Sequence, residues 1–271
     1  MAAVNWVDRV PTNPNRMKIT PETGSPYYAT VERADNPSVE GTPVNARNLN
    51  AMQEASGLTA SRTVYVSTSG SDSVGDGSAA NPYATINKAL STIPKNLNGF
   101  TATINVAAGT YAGNASIQNF GNGVLQITGN AGDVVTLSGM WVYNNQYVEI
   151  TNISLQLASS YLNVYCSNLR VASPITAGDT SYGIHAGVFA NIVFTGSVTV
   201  NNTTSYAVVS TSSARIYIAE LLGSGNKTTI ACTLGGVCVI GSDKLTVSGT
   251  QYFTDTGGRI YGGSQAQIPS Y

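Results

Sequence analysis

The sequence predicts an all-β chain built as a solenoid of parallel strands. Three observations predict it. Short β-branched runs flanked by Gly, Asn or Ser recur from residue 101 onward; the last of them, IVFTGSVTV, RIYIAELLG and VCVIGSDKLTV, return about every 22 residues, one solenoid turn. A single compact helix signal stands just before the first repeat, where an open hydrophobic cross-section needs a cap. Charged residues make up only 10% of the chain while hydrophobic ones reach 42%. Low charge with high Ser and Gly can signal disorder, but these apolar runs are too many and too β-branched for that. Equivalent positions on successive rungs lie about 4.8 Å apart, where like charges repel and Asn, Thr, Ser or Val stack without penalty.

The stretch Thr63 to Pro94 organises the rest. TVYVS alternates as a strand. A Gly/Ser/Asp loop follows from Gly70 to Ala80. Asn81 is then the expected N-cap and Pro82 the first residue of a helix over 82–93. Ile86, Leu90 and Ile93, with Tyr83 and Ala89, share one face, and Pro94 ends it. The words YVSTSGSD, GDGS and NPYATINKAL resemble the start of the pectate-lyase-like right-handed parallel β-helix. That resemblance implies the fold and leaves the function open, because lyases, hydrolases and inert binding proteins share it.

From Phe100 the words TATINVAAGTY, VLQITGNAGDVVTLSG, YVEITNISLQLA, LNVYCSNLRVAS and FANIVFTGSVTVN lead into the regular repeats. Asn152, Asn168 and Asn191 each open a strand with an Asn–aliphatic pair. Between Thr101 and Gly249 the spacing allows roughly seven rungs, a rod about 33 Å long. An antiparallel sandwich is the rival fold. Its strands return every 8–12 residues or so, against the longer period here. The 63–271 region therefore reads as one β-helix domain, closed by the Gly- and Tyr-rich QYFTDTGGRIYGGSQAQIPSY.

Residues 1–62 differ. They hold six of the ten prolines and show no sustained period, so they read as extended, turn-rich backbone ordered by a partner surface. Residues 27–31 form one expected strand. A second helix signal covers 43–56, with Thr42 as cap, Pro43 first and Gly57 at its end. WVDRVPTNPNRMKITPETG and VERADNPSVEGTPVNARNLNAM resemble a segment at the front of phage tail and baseplate-associated proteins. The resemblance implies attachment to a tail structure, a place in the virion, and a homotrimer.

Net charge is −1, so no electrostatic footprint for nucleic acid is expected. No apolar run approaches the roughly 20 residues of a membrane span. The first residues lack the apolar core of a signal peptide, which suggests synthesis in the host cytoplasm without one. Cys166, Cys232 and Cys238 follow no disulfide or metal spacing and read as buried, reduced thiols. No cofactor is expected.

Chemistry on this fold needs gathered carboxylates; a glycosidase needs two about 5 to 9.5 Å apart. The solenoid holds Asp133, Glu149, Asp179, Glu220, Asp243 and Asp255, none in a local pair. Glu220 and Asp243, 23 apart, are the pair that could meet across rungs as catalytic groups, and two solvated turn residues are the favoured reading. Lone His185, in YGIHAGVFA, could serve as a general base, though a Gly-rich turn accounts for it. Asp72 and Asp76 could offer oxygens to calcium, though Asp/Gly turns account for them and no metal site is expected. Fifteen tyrosines against five phenylalanines suit sugar stacking or subunit contacts, and simple strand propensity accounts for them equally. Two functions follow as expectations. One is a non-enzymatic tail fibre, tailspike-like or baseplate-associated protein contacting host-surface polysaccharide. The other is a tailspike polysaccharide depolymerase, hydrolase or lyase, using cross-rung carboxylates.

Overall fold

A computed structural model describes residues 57–178, 180–241 and 252–262 in full, and the backbone of 16–19, 27–30 and 245–247. The chain divides into two units, residues 1–56 and 57–271. In the first, β1 (Arg16–Ile19) pairs antiparallel with β2 (Tyr27–Thr30), in a register from Arg16 opposite Thr30 to Ile19 opposite Tyr27. The second strand is the expected one. The first lies in a stretch expected to be irregular extended chain, although RMKI alternates polar and apolar residues over its four positions. The helix signal over 43–56 lies outside the described residues.

The second unit is a parallel β-helix of about seven turns. Three strand columns run along it. The first column contains β3 (Arg62–Val66), β4 (Thr101–Val106), β7 (Val124–Thr128), β10 (Val148–Ile150) and β13 (Asn168–Val171). It continues through the start of β16 (Asn191–Asn201) and β18 (Arg215–Gly223), then β20 (Val237–Ile240) and β23 (Arg259–Tyr261). The second contains β5 (Gly109–Thr110), β8 (Asp133–Leu137), β11 (Ile153–Leu157) and β14 (Ile175–Gly178), the ends of β16 and β18, and β21 (Leu245–Val247). The third contains β6 (Asn114–Gln118), β9 (Gly139–Tyr143), β12 (Leu162–Tyr165), β15 (Tyr182–Gly187), β17 (Tyr206–Ser210), β19 (Thr228–Cys232) and β22 (Tyr252–Thr254). Arg62 and the buried Leu58, placed by sequence in the arm, belong to this solenoid unit.

Strand periodicity of two sends alternate side chains inward, and the parallel register stacks them. Val64, Ile104, Ile127, Ile150, Val171, Phe194, Ile218 and Ile240 form one inner column, each aligned with the next and all essentially inaccessible. Val135, Leu155, Ile175, Val198 and Leu221 form a second. Ile117, Val142, Val164, Ala186, Ser210 and Cys232 form the third. Buried Ser210 is satisfied by donating to the Ala214 carbonyl at 2.9 Å. At Gly196, on the corner inside β16, a Cβ would stand 2.4 Å from the Ser173 carbonyl oxygen, so only glycine lets the rungs approach there.

The corner between the third and first columns carries a polar interior. Asn145 is 2% exposed. Its Oδ1 accepts from the Phe120 amide at 3.0 Å, and its Nδ2 donates to the Ile117 and Tyr143 carbonyls. Outside, Asn168 and Asn191 align and bond through their amides at 3.4 Å. Asn152 is no member of that stack; it occupies a left-handed turn with φ 57° before β11.

The cap is α1 (Ile86–Thr92), packed on β3, β4 and β6 with Ile86, Ala89 and Leu90 buried. It is shorter than expected. Its N-cap is Thr85, whose Oγ1 accepts from the Lys88 amide at 3.1 Å. Asn81 and Pro82 lie before it because Tyr83 is held extended beside Val66: its amide donates to Tyr65 and its carbonyl accepts from Ser67. The helix stops at Ile93, in the extended conformation that a following Pro94 favours. Among the described residues no helix is long and apolar enough to cross a membrane.

Candidate functional site

The outer surface of the third column gathers the polar aromatic side chains. None of its seven strands contains Asp, Glu, Lys or Arg. Its central outward row is Ser116, Trp141, Asn163, His185 and Val209, aligned rung by rung. Beside it stand Tyr143 and Tyr165, likewise aligned, and on the other side Tyr182 and Tyr206.

The rings touch from rung to rung. Tyr143 and Tyr165 stack with centroids 5.5 Å apart and planes 16° from parallel. His185 meets Tyr165 edge-on at 5.3 Å and stacks on Tyr182 at 5.6 Å. Tyr182 in turn meets Tyr161 at 5.4 Å and Tyr206 at 6.1 Å. Offset and edge-on pairs of this kind each add about 0.5–1.5 kcal/mol beyond burial. Room for Tyr165 comes from its neighbour on the next rung: a Cβ on Gly187 would stand 2.3 Å from that ring. Trp141 has no such ring partner among the described residues and is 37% exposed.

A hydrogen-bond chain runs through the centre. Asn163, 8% exposed, donates from Nδ2 to the Tyr143 hydroxyl at 2.7 Å. Its Oδ1 lies 2.8 Å from His185 Nδ1, which also lies 3.3 Å from the Tyr165 hydroxyl. Burial holds the His185 imidazolium below its usual 6.5. Burial also raises the Tyr143 and Tyr165 phenols, helped by the neighbouring tyrosines. The array is therefore uncharged at neutral pH. It spans four rungs, about 14 Å along the axis, and combines apolar ring surface with hydroxyl, amide and imidazole groups.

His185 is thus a strand residue at the centre of this face, not the turn residue that its glycine neighbours suggested. Trp141 and Asn163 were not singled out in the sequence. Their signal was the 22-residue interval joining Trp141, Asn163 and His185, and the equal interval from Tyr143 to Tyr165. Of the candidate acidic pair, Glu220 is half-buried on β18 and aligned with Ser197 of the preceding rung. Leu221 pairs with Leu245, a step of 24 rather than 23, and Asp243 lies outside the described residues. Asp179 also lies outside them. Glu149 pairs with Arg170 on the next rung and accepts from Gln126 on the one before. Asp133 closes a turn by accepting from Asn130.

Asp72 has its oxygens committed to the cap. Oδ1 accepts from the Ala84 and Thr85 amides at 2.8 and 3.0 Å, and Oδ2 from the Thr85 hydroxyl at 2.7 Å. Asp76 accepts from the Ser78 amide at 2.8 Å in a short exposed turn. Among the described residues no three His, Cys, Asp or Glu side chains gather as a metal site. Cys232 and Cys238 are buried, but Cys166 is exposed, on a left-handed turn with φ 47°. The Cys238 thiol is pushed up by burial and by the adjacent Cys232. Comparison of the chain with protein-family models, with curated proteins and with solved structures returns no match.

Proposed function

We propose that this chain is a non-enzymatic structural protein of a phage tail or baseplate, attached through its N-terminal unit, residues 1–56, whose solenoid contacts host-surface polysaccharide. The tail assignment rests on the sequence of the N-terminal segment. The observation that carries the contact is the uncharged face of Trp141, Tyr143, Asn163, Tyr165, Tyr182 and His185. Sugars present apolar C–H faces ringed by hydroxyls, and half-exposed rings interleaved with amide and phenol groups match both. The proposed assembly is a homotrimer within the virion.

Retention on isolated bacterial cell walls tests this reading. Wild-type chain is expected to be retained, and the double variant Trp141→Ala/Tyr165→Ala to be released. The variant Glu220→Ala/Asp243→Ala is expected to be retained like wild type and to release no more or less soluble sugar. Equal retention of the aromatic variant would overturn the contact. A cleavage activity that vanishes in the acidic variant would replace this reading with the depolymerase.

A further inference from the structure

The hydrogen-bond chain on the aromatic face has a definite polarity. Asn163 gives its Nδ2 to the Tyr143 hydroxyl, so Oδ1 is the atom turned toward His185 Nδ1. An amide oxygen only accepts, so Nδ1 must carry the proton. In the neutral ring Nε2 is then a bare acceptor. The Tyr143 oxygen is already an acceptor for Asn163, and its own proton is left to donate outward. The Tyr165 hydroxyl stands beside the protonated Nδ1, cannot give its proton there, and is likewise left as a donor. None of these three functions is used by another hydrogen bond among the described residues.

We propose that Tyr143, Tyr165 and His185 form a donor, donor, acceptor triplet that takes a neutral polysaccharide laid along the solenoid axis, beside the Trp141 indole, in preference to an acidic one. This rests on the glycan-contact reading above and specifies its ligand. A sugar hydroxyl both accepts and donates, so adjacent hydroxyls can receive the two phenol protons and return one to Nε2. A carboxylated or phosphorylated chain can use the phenols but meets a lone pair at Nε2. It also finds no cation on any strand of the face, so its desolvation goes uncompensated. The side chains packed against His185 are Tyr161, Tyr165, Tyr182 and Asn163, none of them a carboxylate, lysine or arginine. Acidification protonates Nε2 and turns the acceptor into a donor, so binding holds at pH 6.5 and weakens only as pH falls through the native value of this group, which burial keeps below 6.5.

The chain has a single histidine, which makes the test direct. Full-length protein labelled with ¹⁵N-histidine is examined by NMR at pH 7.5, then titrated with neutral polymers (dextran, mannan, galactan, xylan) and acidic ones (polygalacturonate, hyaluronate). The expected spectrum is the Nδ1–H tautomer, with the Nε2 resonance shifted by a neutral polymer and not by the acidic pair. Tyr165→Phe removes one donor and should weaken that binding about fivefold, whereas Tyr217→Ala, on another face, should leave it unchanged. An Nε2–H tautomer, or preference for the acidic polymers, overturns the triplet and leaves glycan contact standing. No response to either class by the folded chain overturns both. Self-association abolished by Trp141→Ala would identify the face as a subunit contact and also overturn both.

Discussion

Asp72 closes the Gly/Ser loop onto the first turn of α1 through three hydrogen bonds to Ala84 and Thr85. Replacing it by Ala leaves two amides and a hydroxyl without their acceptor. The expected loss is about 1–2 kcal/mol, the upper range of an N-cap deletion, read as a lower urea midpoint with unchanged slope. This contact explains why the helix start was misplaced. Asn81-Pro82 is a good local N-terminal signal, but the residue that decides the start is 13 positions before Thr85, beyond any local pattern. His185 supplies a pH effect of known sign. Its native pKa is depressed by burial from 6.5, so the unfolded chain binds the proton more readily. The neutral ring's contribution is complete above about pH 6.5 and declines as pH falls below that. Thermal midpoints between pH 7 and 5 should fall for wild type and fall less for His185→Gln.

At the level of the element, legibility depended on how each corner is made. In β16 and β18 the chain turns from the first to the second column within one continuous strand, and the register shifts between Phe194 and Ser197. Those rungs read as single words at intervals of 22 to 24 residues. Earlier rungs break into separate short strands. Past the cap, whose insertion makes a step of 40 residues from Val64 to Ile104, their steps vary from 20 between Leu155 and Ile175 to 26 between Gly109 and Val135, so the period blurs although the inner columns remain in line. The aromatic face is an element of the same kind: its residues are scattered in sequence and adjacent only once the rungs are aligned. Gly187 tests that alignment. In Gly187→Ala the new methyl group occupies the space of the Tyr165 ring, which must swing off its stack with Tyr143. Near-ultraviolet circular dichroism should lose tyrosine intensity while the far-ultraviolet β signal holds. An unchanged near-ultraviolet spectrum would show that the ring does not lie across Gly187.

At the scale of the whole solenoid unit, the core columns account for the stacking of the rungs, and the corner between the third and first columns carries apolar residues that they leave unexplained. There Val188, Phe189 and Leu234 have positive φ values of 36°, 55° and 49°. That conformation favours glycine and is costly for bulky or β-branched residues. Yet Phe189 is 72% exposed and Leu234 54%. They lie on nearby turns of one edge, linked through Ser212 and Ser213: Phe189 donates its amide to the Ser212 carbonyl, and Ser213 donates to Leu234. Neither local backbone preference nor the chain's own core calls for apolar side chains here, whereas burial against another copy would. The proposed trimer takes its number from the resemblance of the N-terminal segment and its contact from this edge. Light scattering on the full chain at micromolar concentration should give about three times the 28.1 kDa chain mass. Phe189→Asp/Leu234→Asp should lower that mass without changing the β spectrum, because both side chains are already in water in the single chain. Removal of residues 1–56 should weaken assembly further. A full-length protein that stays monomeric would sink the trimer, and a trimer indifferent to the edge variant would move the contact elsewhere on the chain.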